Sequence, residues 1–216
     1  IPIEIMDVAG LVEGASEGKG LGNQFLDNLT SADAFIHIVD VSGETDEEGK
    51  ETKNYDPTKD VKMLENELDL WYLGILKKVW GAFARTVQNT KSDFAKAVAK
   101  QFSGLKVTED DIKDVLRSGD FNIEKPNNWT DQELKKFAHK LRHLTKPMII
   151  AANKIDKPNS KENLEKLKTS YPDITIMPCS ADSELALREA SKAKLIEYVP
   201  GDKDFKETEK LNEKQK

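Results

Sequence analysis

Residues 147–156 read PMIIAANKID. A proline opens the run, apolar residues from Met148 to Ala152 follow without a polar break, and Asn-Lys-Ile-Asp closes it. A short continuous apolar run bounded by turn-forming residues is the pattern of a strand buried on both faces, as in a parallel sheet covered by helices. Its polar tail then emerges at the carboxyl edge of the sheet, where open α/β folds bind ligands. The chemistry of that tail suits a guanine base. The Asp156 carboxylate can accept both the ring N–H and the exocyclic amine of guanine, whereas adenine presents a bare acceptor there and leaves the carboxylate unpaired. Asn153 would tie the loop together and touch the base, and the aliphatic stem of Lys154 would lie across the nucleoside. The competing reading is a polar loop that starts the next helix.

Working outward, Ile1 to Val8 and Ala34 to Val41 (AFIHIVDV) show the same buried-strand pattern, and Ile174 to Met177 a weaker one. Leu21, Phe25, Leu26 and Leu29 fall at helical spacing between the first two, and Asn163 to Lys168 and Glu184 to Ala193 supply further helices. Strands alternating with helices imply a mostly parallel α/β sheet. The alternation breaks between Asp56 and Thr145. Asp56-Pro57 is a helix-entry signal, after which Val61, Leu64, Leu68, Trp71, Ile75, Val79, Ala82 and Thr86 recur at steps of three and four. Phe94, Val98 and Phe102 continue the pattern after a break near Asn89; Ile112, Val115 and Leu116 mark a third helix, and Leu134, Phe137, Leu141 and Leu144 a fourth. The expected organisation is an α/β domain in two parts, residues 1–55 and 146–200, interrupted by an all-helical, coiled-coil-like insertion over 56–145 and followed by connecting chain over 201–216.

The chain carries a net charge of −6, which excludes wholesale electrostatic attraction to nucleic acid. The charge is uneven: residues 56–145 hold 16 Lys or Arg against 14 Asp or Glu, leaving 17 against 25 elsewhere. Lys77-Lys78, Lys135-Lys136, Lys140 and Arg142 in the insertion are candidates for reaching RNA or a ribosomal surface; an ordinary solvated helix face is the alternative. No apolar run approaches the roughly 18 residues needed to cross a bilayer. The single cysteine, Cys179, cannot form an intramolecular disulfide, so a reducing, cytoplasmic setting without disulfide-linked partners is expected. His37, His139 and His143 show no metal-binding spacing with Cys179 and read as packing or surface residues.

Two further loops fall at strand ends. Asp7-Val-Ala-Gly10 follows the first apolar run; an aspartate there can hold a magnesium ion through water, and the glycine lets a backbone N–H approach a terminal phosphate. A plain strand-to-turn Asp and Gly is the alternative. Ser180-Ala181 follows the Ile174 to Met177 run; its backbone N–H groups can donate to the guanine carbonyl oxygen while the Ser180 hydroxyl steadies the turn.

Three such loops in this order resemble the GTPases of the translation-factor-related class. The stretch DVAGLVEGASEGKGLGNQFL, residues 7–26, is similar to the glycine-rich second switch of the Obg family, and the helical insertion ahead of Asn153-Lys154-Ile155-Asp156 looks like that of its YchF, or Obg-like ATPase, branch. The resemblance implies a P-loop NTPase-like fold, GTP and Mg2+ as ligands, and a GTP-hydrolysing switch associated with translation. Bacterial and eukaryotic members usually depart from the Asn-Lys-x-Asp pattern and favour ATP; Asp156 matches the archaeal pattern and favours GTP. Leu11 stands where many GTPases carry a water-orienting glutamine, so no side chain here is assigned as catalytic and orientation must come from backbone, another loop, a partner or K+. Glycines 10, 14, 18, 20 and 22 suit a segment that orders around a terminal phosphate. No Gly-x-x-x-x-Gly-Lys-Ser/Thr loop occurs in the 216 residues, and GDKDFKETEKLNEKQK is similar to the start of a connection to a C-terminal TGS domain. A piece of a longer protein is therefore expected, lacking the phosphate cradle and the TGS domain, with an incomplete sheet and little activity alone. The alternatives are a non-hydrolysing ribosome- or RNA-binding adaptor, or an ATP-preferring relative.

Overall fold

The computed structural model describes residues 2–8, 14 and 29–209. These fall into two compact units, one built from Ile1–Ile36 and Lys59–Met148, the other from His37–Thr58 and Ile149–Lys216.

The first unit is helical. Helix α1, Thr58–Thr90, presents Val61, Leu68, Tyr72, Leu76, Trp80, Ala84 and Val87 to the interior at the three- and four-residue steps of one helix face. Helices α2 (Phe94–Gln101), α3 (Glu109–Arg117) and α4 (Asp131–Thr145) complete it. The short helices begin where side chains satisfy the exposed N–H groups of a first turn. Asp93 caps α2, and Thr108 with Asp111 and Thr130 with Glu133 form reciprocal capping boxes on α3 and α4. Their apolar faces meet in one core, in which Trp129 stands 4.9 Å from Trp80 and 5.4 Å from Phe137, centroid to centroid.

Charged groups are also buried in this unit. The Arg142 guanidinium, 1% exposed, bonds Glu65 at 2.9 Å and Asp69 at 3.0 Å, both on α1. Burial works against the Glu65 charge, but His143 and Arg142 hold its carboxyl at about 2. Arg142 therefore belongs to the interior and not to the basic surface expected of it, because two facing carboxylates neutralise it there. Lys146 is buried as well; its ammonium donates to the carbonyls of Thr30, at 3.0 Å, and Ala32. Gly14, at φ +85°, donates its N–H to the buried Glu67 carboxylate at 2.8 Å.

The second unit carries a three-stranded sheet in the order β1 (Phe35–Asp40), β2 (Met148–Asn153), β3 (Thr175–Pro178), the first residues of β1 and β2 falling at the unit boundary. Strands β2 and β3 are parallel, Ile150 opposite Ile176. Strands β1 and β2 run the same way, since Phe35 N–H donates to the Pro147 carbonyl and Val41 N–H to the Asn153 carbonyl. Helices α5 (Ser160–Ser170) and α6 (Ala181–Lys192) follow β2 and β3, giving the strand–helix alternation of an α/β fold. The expected connecting chain after residue 200 is partly folded: Lys206–Glu207 (β5) pairs antiparallel with Ile196–Glu197 (β4), and Thr208 donates to the Leu195 carbonyl.

The apolar start departs from expectation. No strand is formed over residues 2–8, and Ile3 and Ile5 are 84% and 79% exposed. Apolar content alone does not make a strand, which needs a neighbour to take its backbone hydrogen bonds. The helix expected over 21–29 lies outside the described residues except for Leu29, which is buried against Leu68. No described helix is long and apolar enough to cross a membrane.

Candidate nucleotide-binding loops

Strand β2 ends at Asn153, and the chain turns immediately. Lys154 adopts φ +65°, a left-handed conformation that costs a non-glycine residue energy unless its surroundings hold it. The holding contacts are visible. Lys157 N–H closes a turn onto the Lys154 carbonyl at 3.1 Å, and Ile155 N–H donates to the Cys179 carbonyl at 3.2 Å. Beneath the turn the Ser160 hydroxyl, fully buried, lies 2.6 Å from both the Ile155 and Lys157 carbonyls.

The β2 and β3 ends are joined by one side chain. Asn153 Oδ1 accepts the Ala181 N–H at 3.0 Å, and Cys179 N–H donates to the Ala152 carbonyl at 2.9 Å. The Cys179 thiol, half-buried, is raised by burial and so is less ready to form a thiolate. Ser180 caps α6, its hydroxyl accepting the Ser183 N–H. Asp156 is exposed, and its carboxyl is lowered, first by the Ser180 hydroxyl and then by its own backbone N–H. Asn153, Lys154, Asp156, Ser180 and Ala181 are thus brought together on two adjoining loops, with an ionised carboxylate facing solvent and ready to accept two hydrogen bonds.

Lys154 has a partner that sequence reasoning missed. Its ammonium bonds Asp40 Oδ2 at 2.6 Å, and Asp40 closes β1. Burial raises the Asp40 carboxyl, but Lys154, Ser42 and Thr45 together outweigh this and bring it down to about 2. The signal was legible in Asp40-Val-Ser-Gly-Glu-Thr45: an aspartate at a strand end followed by Ser, Gly and Thr is a side-chain-stabilised turn. Ser42 gives its N–H and hydroxyl to Asp40 Oδ1, and the Thr45 hydroxyl takes Oδ2. Gly43 completes the turn at φ +71°, where an added Cβ would lie 2.9 Å from the Tyr55 carbonyl oxygen.

Asp7 lies in the first unit, exposed and outside any strand, so the placement at a strand end expected for it is not realised. Gly10 and Leu11 lie outside the described residues, as do glycines 18, 20 and 22.

Comparisons with known proteins bear on the same loops. Residues 151–216 match a family described as "Obg-like GTPase YGR210-like, G4 motif-containing domain", and residues 1–67 one described as "50S ribosome-binding GTPase". A GTP-binding protein of Methanocaldococcus jannaschii is 50% identical over 99% of this chain and 53% of its own length. The chain belongs with the YchF/Obg-like GTP-binding proteins. The crystal structure of a GTP-binding protein from Pyrococcus horikoshii aligns with a TM-score of 0.73 at 40% identity, over 82% of this YchF/Obg-like chain and 51% of that one. The ribosome-binding ATPase YchF of Bacillus subtilis is 29% identical over 89% of this chain and 52% of its own. The chain spans about half the length of the curated relatives it matches. The fold is thereby that of the P-loop NTPases, with its sheet represented by three strands among the described residues.

Proposed function

We propose that this chain carries the base-reading part of a guanine-nucleotide switch that hydrolyses GTP. The observation that supports this most directly is the Asn153–Ala181 bond, which pins the Asn-Lys-Ile-Asp loop to the Ser-Ala loop and leaves Asp156 exposed and ionised beside them. In that arrangement the carboxylate accepts the two donors on one edge of guanine, the backbone N–H groups around Ala181 face its carbonyl oxygen, and Lys154 leaves Asp40 or stretches from it to cover the nucleoside.

Asp7 is an exposed carboxylate, a hard oxygen donor of the kind that suits a hydrated magnesium ion. When bound, the ion neutralises charge on the terminal phosphates. Gly10 N–H approaches the terminal phosphate in this reading, and Leu11 leaves orientation of water to backbone, a partner or K+. The basic residues of the helical unit, without Arg142, are the proposed contact to a ribosome or RNA. This agrees with the ribosome-binding description of the family matched at residues 1–67 and with the name of the B. subtilis relative.

The test is competition binding on the full-length protein. Asp156→Ala is expected to remove the preference for GTP over ATP, a change of about 100-fold or more where a site's polar groups are left unpaired. Asp156→Asn is expected to move binding toward xanthosine triphosphate, whose base carries an acceptor where guanine has its amine. Unchanged GTP preference in Asp156→Ala sinks the assignment, and a wild-type preference for ATP overturns the guanine reading.

A further inference from the structure

Two pairs of potential ligands face each other between α1 and α4, outside the nucleotide loops. Glu65 and Asp69 are one turn apart on α1, and His139 and His143 one turn apart on α4, so each pair projects from one side of its helix. One ligand atom from each of Asp69, His139 and His143 lies within 4.8 Å of the others. His139 Nδ1 is 2.6 Å from Asp69 Oδ2, and the two imidazole rings stand 4.3 Å apart, centroid to centroid. Glu65 Oε2 approaches His143 Nε2 at 3.3 Å.

From these residues we infer a transition-metal site, of the Zn2+ class, formed by Asp69, His139 and His143 with Glu65 beside it. Ligand atoms around a tetrahedral ion with bonds near 2.0–2.2 Å are about 3.3 Å apart, so the 2.6 Å between His139 Nδ1 and Asp69 Oδ2 opens somewhat when an ion enters. The His139 and His143 side chains are 47% and 39% exposed, so small ring rotations can close the geometry and an ion can enter from solvent. Two imidazoles with a carboxylate select Zn2+, Co2+ or Ni2+ over Mg2+ and Ca2+, which prefer oxygen alone.

Arg142 sets the site's character. Its Nε takes Asp69 Oδ1 at 3.0 Å, which orients the other carboxylate oxygen, Oδ2, toward His139. Its Nη2 lies 2.6 Å from His143 Nε2. The same nitrogen faces Glu65 Oε2 at 3.3 Å, to which it can offer a proton; in the neutral ring that a metal requires, it presents its lone pair instead. An entering ion takes this lone pair from Arg142, which keeps its bonds to Glu65 and Asp69. It also takes the place of the proton shared between His139 Nδ1 and Asp69, which passes to solvent. Three protein ligands leave a fourth position for water, and the guanidinium's charge beside them makes the site bind more weakly than a closed structural zinc centre. Binding would clamp α1 to α4. None of this depends on the nucleotide reading.

The experiment is titration of untagged, chelator-stripped full-length protein with Zn2+ against a chromophoric competitor, and with Co2+ followed by its visible absorption. One ion per chain is expected, with the Co2+ spectrum of a site containing imidazole, and the double variant His139→Gln, His143→Gln weakening Zn2+ binding about tenfold or more. Because wild-type stoichiometry is measured directly, poor folding of the variant does not leave the inference untested. Absence of a stoichiometric ion on the wild-type protein, or equal affinity in a folded double variant, overturns it.

Discussion

Asp40 shows how one residue organises a loop around its charge. Its carboxylate is 15% exposed and receives Lys154, Ser42 and Thr45, so the charged form is favoured despite burial, and its carboxyl falls to about 2. Because this folded-state value lies below the ordinary value of about 4, the stabilisation is complete above pH 4 and is lost as pH falls toward 2. Asp40→Asn is therefore expected to cost up to about 2 kcal/mol at neutral pH. The gap from wild type should close in urea denaturation as pH is lowered from 4 toward 2. A gap independent of pH would mean that the side chain acts through shape alone. At the same scale, Asp156 illustrates the opposite design: it is exposed, its charge supported by the Ser180 hydroxyl, and thus available to a ligand.

At the scale of elements, the helices are held at their starts as much as along their faces. In α4, Thr130 accepts the Glu133 N–H while the Glu133 carboxylate takes the Thr130 N–H at 2.7 Å and its hydroxyl at 2.8 Å. The Glu133 carboxyl is lowered, first by the Thr130 backbone bond and then by its hydroxyl. Thr130→Ala removes one side of this box and is expected to destabilise the protein by about 1 kcal/mol, with little change in m-value, in chemical denaturation. These boxes were legible as Thr-x-x-Glu and Thr-x-x-Asp ahead of apolar periodicity, and the helices themselves follow the expected spacing to within a few residues. The segment at residues 2–8 followed no such rule. Its strand-like composition carries no information about whether it meets a neighbouring strand, and among the described residues it pairs with none.

At the scale of the whole molecule, the described residues fall into two compact units. Phe137, fully buried, touches the rings of Phe94, Phe121 and Trp129 in the helical unit. Phe137→Ala is expected to cost about 3–5 kcal/mol through lost contacts and a cavity, read as loss of amide protection across α1, α2 and α4 in hydrogen exchange. The amino-acid sequence by itself determined the α/β alternation, the helical interruption, the helix starts and the Asn-Lys-Ile-Asp and Ser-Ala loops, because period, turn chemistry and capping act between residues close in the chain. Only the tertiary structure decided that Asn153 reaches across to Ala181, that Asp40 holds Lys154, and that Arg142 is an interior cation gripping Asp69, 73 residues away. Those outcomes depend on which helix face or strand end meets which. A basic run such as Lys135 to Arg142 reads as surface until carboxylates on a facing helix neutralise one member, and a histidine pair reads as ordinary until Asp69 is brought beside it.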